Sequence, residues 1–564
     1  MSNHPVSTQT WRDALAESWG IDATLEPLAG EFDLNFRVTA RDGRQYILKA
    51  MRAGCDPAFV ELLVGAHEHI RAHDASVPVP TVVRTRAGER WCTQRDADGH
   101  ERLTWLLTLL PGQEYARVRP HPLPLLRELG AAVARLHRAL DGFSHPGMQR
   151  ADFKWDLTRA DWVMRHVDEI ADRARQELVA DAWLRYDGIR GPLQAQPRAV
   201  LHNDLNDWNI LVARDTHGTP RLAGLIDFGD IVEGPVVCEL AIAGAYLVLD
   251  HPHPERALAA FVAGYHGVTP LTSAQLDLIW PLLLMRLAVS VTNSALMQRE
   301  RPGDPYVVIS EQPAWRFLEQ ARGIAEGQMR ARLRVACGMQ ASDGASRVRT
   351  WLDAQRGAFA PVLGLDLATI PTGSLAIRTS LVPRDAMMLA EAEARTLGAA
   401  AGVGATWVGS YGEPRAVYTA PAFKKGGHAI ADRRSVHLGV DVFLPAGAPV
   451  NAPCDGVVET VEYRDARLDY GGMVVLQHVT PDGDPFWTLY GHLSRASAEA
   501  LRPGQRIAQG ARFAELGAME ENGGWDPHLH FQLAMRTDGM EGDWPGVADP
   551  DDLDVWTAIC PNPA

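Results

Sequence analysis

The stretch Leu201-His202-Asn203-Asp204-Leu205-Asn206-Asp207-Trp208-Asn209-Ile210-Leu211 is answered by Leu225-Ile226-Asp227-Phe228-Gly229-Asp230, and together they carry the residue types that phosphoryl transfer needs. The carboxylate of Asp204 can accept the proton of an attacking hydroxyl, while Asn209 and Asp227 offer hard oxygen ligands to the Mg²⁺ ions that neutralise ATP phosphates. Apolar flanks (Ala199 to Leu201, Ile210 to Val212, Leu225 and Ile226) read as short buried strands with the polar groups at their ends. One Asx cluster alone is usually a surface turn. An HxDxxxxN segment followed by an Asp-Phe-Gly at this distance points to a kinase site instead.

The same residues resemble the catalytic loop of aminoglycoside phosphotransferase and choline kinase-like enzymes, closest to the hydroxylysine kinase subgroup. That resemblance implies a bilobal protein kinase-like fold, ATP and Mg²⁺ as cofactors, and a small amine-bearing substrate. Upstream, Gln45-Tyr46-Ile47-Leu48-Lys49-Ala50 alternates so that Lys49 faces away from Leu48. Only Lys49, Lys154, Lys424 and Lys425 are lysines, so Lys49 stands out as the ammonium for the α- and β-phosphates. Glu61, early in the following helix, is the expected partner of Lys49, with Glu68 in reserve. The phosphate-covering segment, Leu28 to Val38, has a single glycine, a departure from the G-x-G-x-x-G of protein kinases. Trp155 and Asp156 suit either the wall of a cationic amine pocket or a packed tryptophan beside a capping aspartate. Glu239 and Arg286 interrupt apolar helical faces, as a buried ion pair or as substrate contacts; Glu239 joins Trp155 and Asp156 as a candidate acceptor-binding residue.

A second constellation lies near the C-terminus: His437-Leu438-Gly439-Val440-Asp441, Tyr490-Gly491-His492-Leu493 and His528-Leu529-His530-Phe531. Residues two apart on a strand share a face, so His528 and His530 can serve one centre. His437 and Asp441 would be about 13 Å apart on a straight strand, too far for bonds of about 2.1 Å to one ion, so the chain must bend between them. Gly439 supplies that bend. The set, with Asp469-Tyr470-Gly471-Gly472 and Asn522-Gly523-Gly524-Trp525 between its members, resembles the M23 or LytM metallopeptidases, which cut peptidoglycan bridges. The resemblance implies that His437, Asp441 and His530 bind Zn²⁺. It also implies that His492 and His528 polarise the attacking water and stabilise the oxyanion, on a peptide or muropeptide substrate. A β domain that keeps its zinc as a binding or assembly module without turnover is the alternative. A pseudokinase is disfavoured because Lys49, Asp204, Asn209 and Asp227 are all present.

These sites need at least two cores, and 564 residues supply them. The expected class is multidomain α+β: a bilobal kinase-like domain over 1–336, a helical connector over 337–405, and an antiparallel β domain over 406–564. Leu126, Leu129, Val133, Leu136 and Leu140 recur at helical spacing and predict a long core helix. The best apolar run, Leu282 to Met297, is interrupted by Arg286 and Asn293, so a membrane span is not expected. A net charge of −15 disfavours nucleic acid and anionic membrane as partners. Six scattered cysteines argue against a disulfide framework, and Met1 to Thr10 lacks a secretory signal, so a cytoplasmic location is expected. Some bacterial proteins join such a kinase and M23-like domain to an aminotransferase-like enzyme. By that resemblance a functional link to a PLP-dependent phospholyase is expected, on another chain or an omitted segment.

Overall fold

The structure is a computed structural model describing residues 8–28, 33–150, 152–300, 311–365, 367–370, 372–373, 406–415, 417–418, 420–424, 433–535 and 545–563. Residues 29–32 of the phosphate-covering segment and 374–405 of the connector, with Glu391, Glu393 and Arg395, lie outside the described residues. The chain is multidomain α+β and divides into two compact units, Met1–Gly323 and Ile324–Ala564.

The first unit begins with helix α1 (Thr8–Ser18) and strands β1 (Ala23–Leu28), β2 (Leu34–Ala40) and β3 (Gln45–Ala50). Helix α2 (Pro57–His73) follows, then β4 (Val82–Val83), β5 (Cys92–Arg95) and β6 (Glu101–Thr108). The strands form an antiparallel sheet in the order β1-β2-β3-β6-β4, with β5 also on β6. Period-two alternation decides its faces: Tyr46, Leu48 and Ala50 join Phe36, Val38 and α1 residues Trp11 and Leu15 in one core. Lys49 therefore points to the opposite face, opposite Asn35 on β2 and Trp105 on β6. Helix α2 starts on Pro57 with Asp56 as cap, its side chain accepting from the Ala58 amide.

The remainder of this unit is mostly helical. Helices Leu123–Ala139 and Pro254–His266 touch backbone to backbone, because a Cβ at Gly130 would lie 1.9 Å from the Phe261 carbonyl oxygen, and one at Gly264 2.1 Å from that of Arg127. Helix Ser273–Glu300 is long and apolar enough to cross a membrane, but 83% of its most apolar window is buried inside the unit. It is a core helix with one cation, Arg286, inside it.

In the second unit, eight strands make one sheet, whose centre runs Val440–Phe443, His528–Ala534, Pro485–Leu493, Gly471–Val479 and Gly456–Arg464, antiparallel throughout. Register places His530 between Asp441 on one side and Gly491, next to His492, on the other. Helix Glu326–Ala336, assigned from sequence to the end of the first domain, packs here. Arg332 forms a buried bidentate pair with Asp552 at 2.7 and 2.9 Å, and Ala331 joins Val555, Trp556 and Ile559 in the core.

Candidate functional sites

In the first unit the catalytic-loop residues are held by buried polar contacts. His202 is fully buried, its Nε2 2.9 Å from the Ile226 carbonyl oxygen and its ring against Phe228, so the Asp204 and Asp227 segments are tied together. Asn203 has left-handed backbone (φ 67°), and its amide donates to both carboxylate oxygens of Glu239 at 3.2 and 3.0 Å. The side chain of Asp204 then meets three donors: Asn206 Nδ2 and Asn209 Nδ2, each 3.0 Å from Oδ2, and Arg286 Nη2, 3.2 Å from Oδ1. Burial pushes the Asp204 carboxyl up, against the opposing pull of Arg286, which suits a proton acceptor.

Asn209 spends its Nδ2 on Asp204, and its Oδ1 accepts no hydrogen bond from a described residue. Asp227, also left-handed (φ 67°), lies 3.4 Å from Lys49 Nζ, and that ammonium holds its carboxyl below the usual range. The two oxygens expected on Mg²⁺ are thus ionised or unspent, and fit a divalent cation.

Several expected roles are filled differently. Lys49 pairs with Asp227 rather than with Glu61, which is bonded to Arg90 and the Trp91 indole. Glu68, the reserve, pairs with Arg84 and Arg90. Asp156 caps a 3₁₀ turn, accepting from the Thr158 amide and hydroxyl at 2.9 and 2.7 Å. Trp155 stacks on Arg286, whose Cζ is 4.4 Å from the ring centroid. Glu239 is fully buried, beneath the loop and 3.6 Å from His137 Nε2, so it cannot touch an acceptor in this state. Glu239→Ala should therefore strand the Asn203 amide and cost about 1–3 kcal/mol of stability. Denaturant unfolding checks this, and kcat should fall alike for every acceptor instead of changing their ranking.

In the second unit the chain bends at Gly439, where a Cβ would lie 2.5 Å from His530 Cε1. Glycine thus permits both the bend and the approach of His530. His437 Nε2, His530 Nδ1 and Asp441 Oδ1 converge at mutual distances of 2.9, 3.0 and 3.1 Å. Tetrahedral zinc ligands at about 2.1 Å stand about 3.4 Å apart, so the donors fit with a small expansion. Their outward atoms are fixed: His437 Nδ1 on the Ser410 carbonyl oxygen at 3.1 Å, His530 Nε2 on Gln532 Oε1 at 3.1 Å, and Asp441 Oδ2 on Arg415 Nη1 at 2.6 Å. Those contacts set the tautomers that leave the inward nitrogens as acceptors for a metal. Burial lowers the His437 pKa to about 4, so the imidazole is neutral. Burial opposes ionisation of Asp441, yet His437 and Arg415 hold its carboxyl well below the usual range.

His492 and His528 stand beside this trio with ring centroids 4.2 Å apart. Each anchors Nδ1 on a carbonyl oxygen, Asn522 at 3.0 Å and Asp526 at 2.7 Å, and neither Nε2 is hydrogen-bonded to a described residue. His492 has left-handed backbone (φ 63°). The cleft in front is walled by Phe423, Tyr470 and Trp525. Sequence reasoning passed over Arg415 and Gln532; no motif marks the first, but Gln532 lies two residues beyond His530 on one strand face.

Residues 24–276 match the phosphotransferase enzyme family, and residues 435–542 match peptidase family M23. The chain joins a phosphotransferase-family domain to an M23-family domain. The phosphotransferase domain is similar to hydroxylysine kinase of Mus musculus, 28% identical over 343 residues, covering 57% of this chain and 90% of that protein. It is also similar to homoserine kinase of Pseudomonas aeruginosa, 29% identical over 280 residues, covering 48% of this chain and 79% of that one. The M23 domain is similar to an uncharacterized metalloprotease of Haemophilus influenzae, 37% identical over 109 residues, covering 19% of this chain and 21% of that protein.

Proposed function

We propose that the phosphotransferase domain transfers the γ-phosphoryl group of ATP to a hydroxyl of a small amine-bearing metabolite, an amino alcohol or a hydroxylated amino acid. The M23 domain is proposed as a zinc-dependent hydrolase of an amide or peptide bond. The observation that carries the first part is the setting of Asp204: a half-buried carboxylate held by Asn206, Asn209 and Arg286. The Lys49–Asp227 pair stands in the same unit.

Bound Mg·ATP supplies the transferable group and neutralises its charge. Lys49 would hold the phosphates, and Asn209 Oδ1 with Asp227 would hold Mg²⁺. Asp204 takes the hydroxyl proton of the acceptor, and Asn206 and Asn209 keep its carboxylate in place while it does so. The relatives' printed names, hydroxylysine and homoserine kinase, support a hydroxylated amino acid as acceptor. A phosphorylated amine of this kind suits a PLP-dependent phospholyase acting next, with both enzymes in the cytoplasm.

In the M23 domain His437, Asp441 and His530 would hold Zn²⁺, which supplies a Lewis acid for the water and the scissile carbonyl. His492 and His528, through Nε2, hold the proton of the attacking water and pass it to the leaving amine.

The test is phosphate transfer from ATP across hydroxylated amino acids, amino alcohols, aminoglycosides and sugars, with peptide and muropeptide cleavage by the zinc-loaded chain. Transfer preferring amine-bearing acceptors, together with amide cleavage, is expected. Preference for sugars or amine-free hydroxyacids would reject the acceptor class. Bound zinc with no cleavage would make the M23 domain a metal-binding module.

A further inference from the structure

Resting on the phosphotransferase reading, the geometry points to Arg286 as the docking site for a carboxylate of the phosphoryl acceptor, next to its reacting hydroxyl. Arg286 is 1% exposed and is the one buried charged residue of helix Ser273–Glu300. A guanidinium is costly to bury unless its N–H groups are satisfied. Here only Nη2 is, by Asp204 Oδ1 and the Tyr246 hydroxyl, both at 3.2 Å. Nε and Nη1, which carry three of the five N–H groups, have no hydrogen-bond partner among the described residues. A buried cation with this much unused donor capacity is matched by an anion.

The shape of the surroundings selects the anion. Trp155 and Tyr246 cover the faces of the guanidinium, with Cζ 4.4 and 5.5 Å from their ring centroids, so only the edge is left. A planar carboxylate meets that edge through two parallel N–H···O bonds, as an ammonium cannot. The positive charge beside Asp204 also repels an ammonium there, and the nearby carboxylates Glu239, Asp156 and Asp230 are engaged on Asn203, Thr158 and Arg150. The acceptor's amine therefore lies farther from the base than its carboxylate does. Nε and Nη1 are shielded from solvent, so the carboxylate enters by displacing the Trp155 indole, which sits in the irregular segment before the Leu157–Arg159 turn.

The experiment compares acceptor pairs that differ only by the carboxylate, using the full chain with Mg·ATP: homoserine against aminopropanol, and hydroxylysine against its decarboxylated diamino alcohol. The expected result is a preference of about 100-fold or more in kcat/KM for the carboxylate-bearing member. Arg286→Met should reduce it to within a few-fold, through KM, with Arg286→Lys intermediate. The wild-type comparison needs no variant and stands even if Arg286→Met fails to fold. Equal use of both members by the wild type, or an equal loss on both in the variants, would overturn the assignment while leaving the phosphotransferase reading intact. If nothing is phosphorylated, that reading fails and this assignment falls with it.

Discussion

Asp204→Asn should lower the rate of phosphoryl transfer by roughly 10²–10⁴-fold, the usual contribution of a positioned proton acceptor. The replacement is nearly isosteric, so its effect is chemical. Asp204 Oδ2 accepts from Asn206 and Asn209, and Oδ1 from Arg286, so no orientation of an amide satisfies all three donors. The amide nitrogen would face Arg286 or the two asparagines, and either way the group has lost its affinity for a proton. ATP affinity should stay near wild type, because Lys49, Asn209 and Asp227 are untouched. Asp227→Ala should do the reverse, weakening Mg·ATP binding and freeing Lys49 from its partner at 3.4 Å. Steady-state kinetics with parallel nucleotide titration separates the two, and a wild-type rate in Asp204→Asn would remove Asp204 from the chemistry.

The second large effect belongs to the metal. His437→Ala and His530→Ala should each abolish stoichiometric zinc and any amide cleavage, since each removes one of three protein donors gathered within about one ion's reach. His492→Ala should keep zinc and lose cleavage, because its Nδ1 is tied to Asn522 and its ring is outside the ligand trio. Metal analysis of the purified variants checks this. Zinc retained at full occupancy in both ligand variants would disprove the assigned trio, and no zinc in the wild type would disprove the centre itself.

What could be read from sequence was local and periodic. Asp204, Asn209 and Asp227 sit in short polar motifs between apolar strands, where spacing alone implies shared chemistry. The alternation of Tyr46, Leu48 and Ala50 against Lys49 fixes a face without knowledge of the fold. The need for a bend at Gly439 followed from strand length against bond length. What escaped depends on how distant elements pack. Glu61 lies on α2 as expected, but Arg90 and Trp91, from the turn before β5, take it. Arg415 lies 26 residues before Asp441 in an irregular segment, and no pattern announces their contact. Arg286 was visible as an oddity in an apolar helix, yet only the helix's rotation shows that its charge meets Asp204 and not Glu239.

Of five non-glycine residues with positive φ among those described, three are Asn203, Asp227 and His492. Left-handed backbone is mild for Asn and Asp but uncommon for His, and each such site costs on the order of 1–3 kcal/mol at most. Domains are commonly stable by only about 5–15 kcal/mol. Two unrelated folds in one chain therefore carry the same kind of debt at the residues nearest their chemistry. Selection for heat resistance alone would relax these three positions, and would do so at the expense of turnover. Selection for activity would hold them and recruit compensating substitutions elsewhere, such as the helix contact at Gly130 and Gly264 or the Arg332–Asp552 clamp. The history of each domain should thus be written in its remote packing more than in its site.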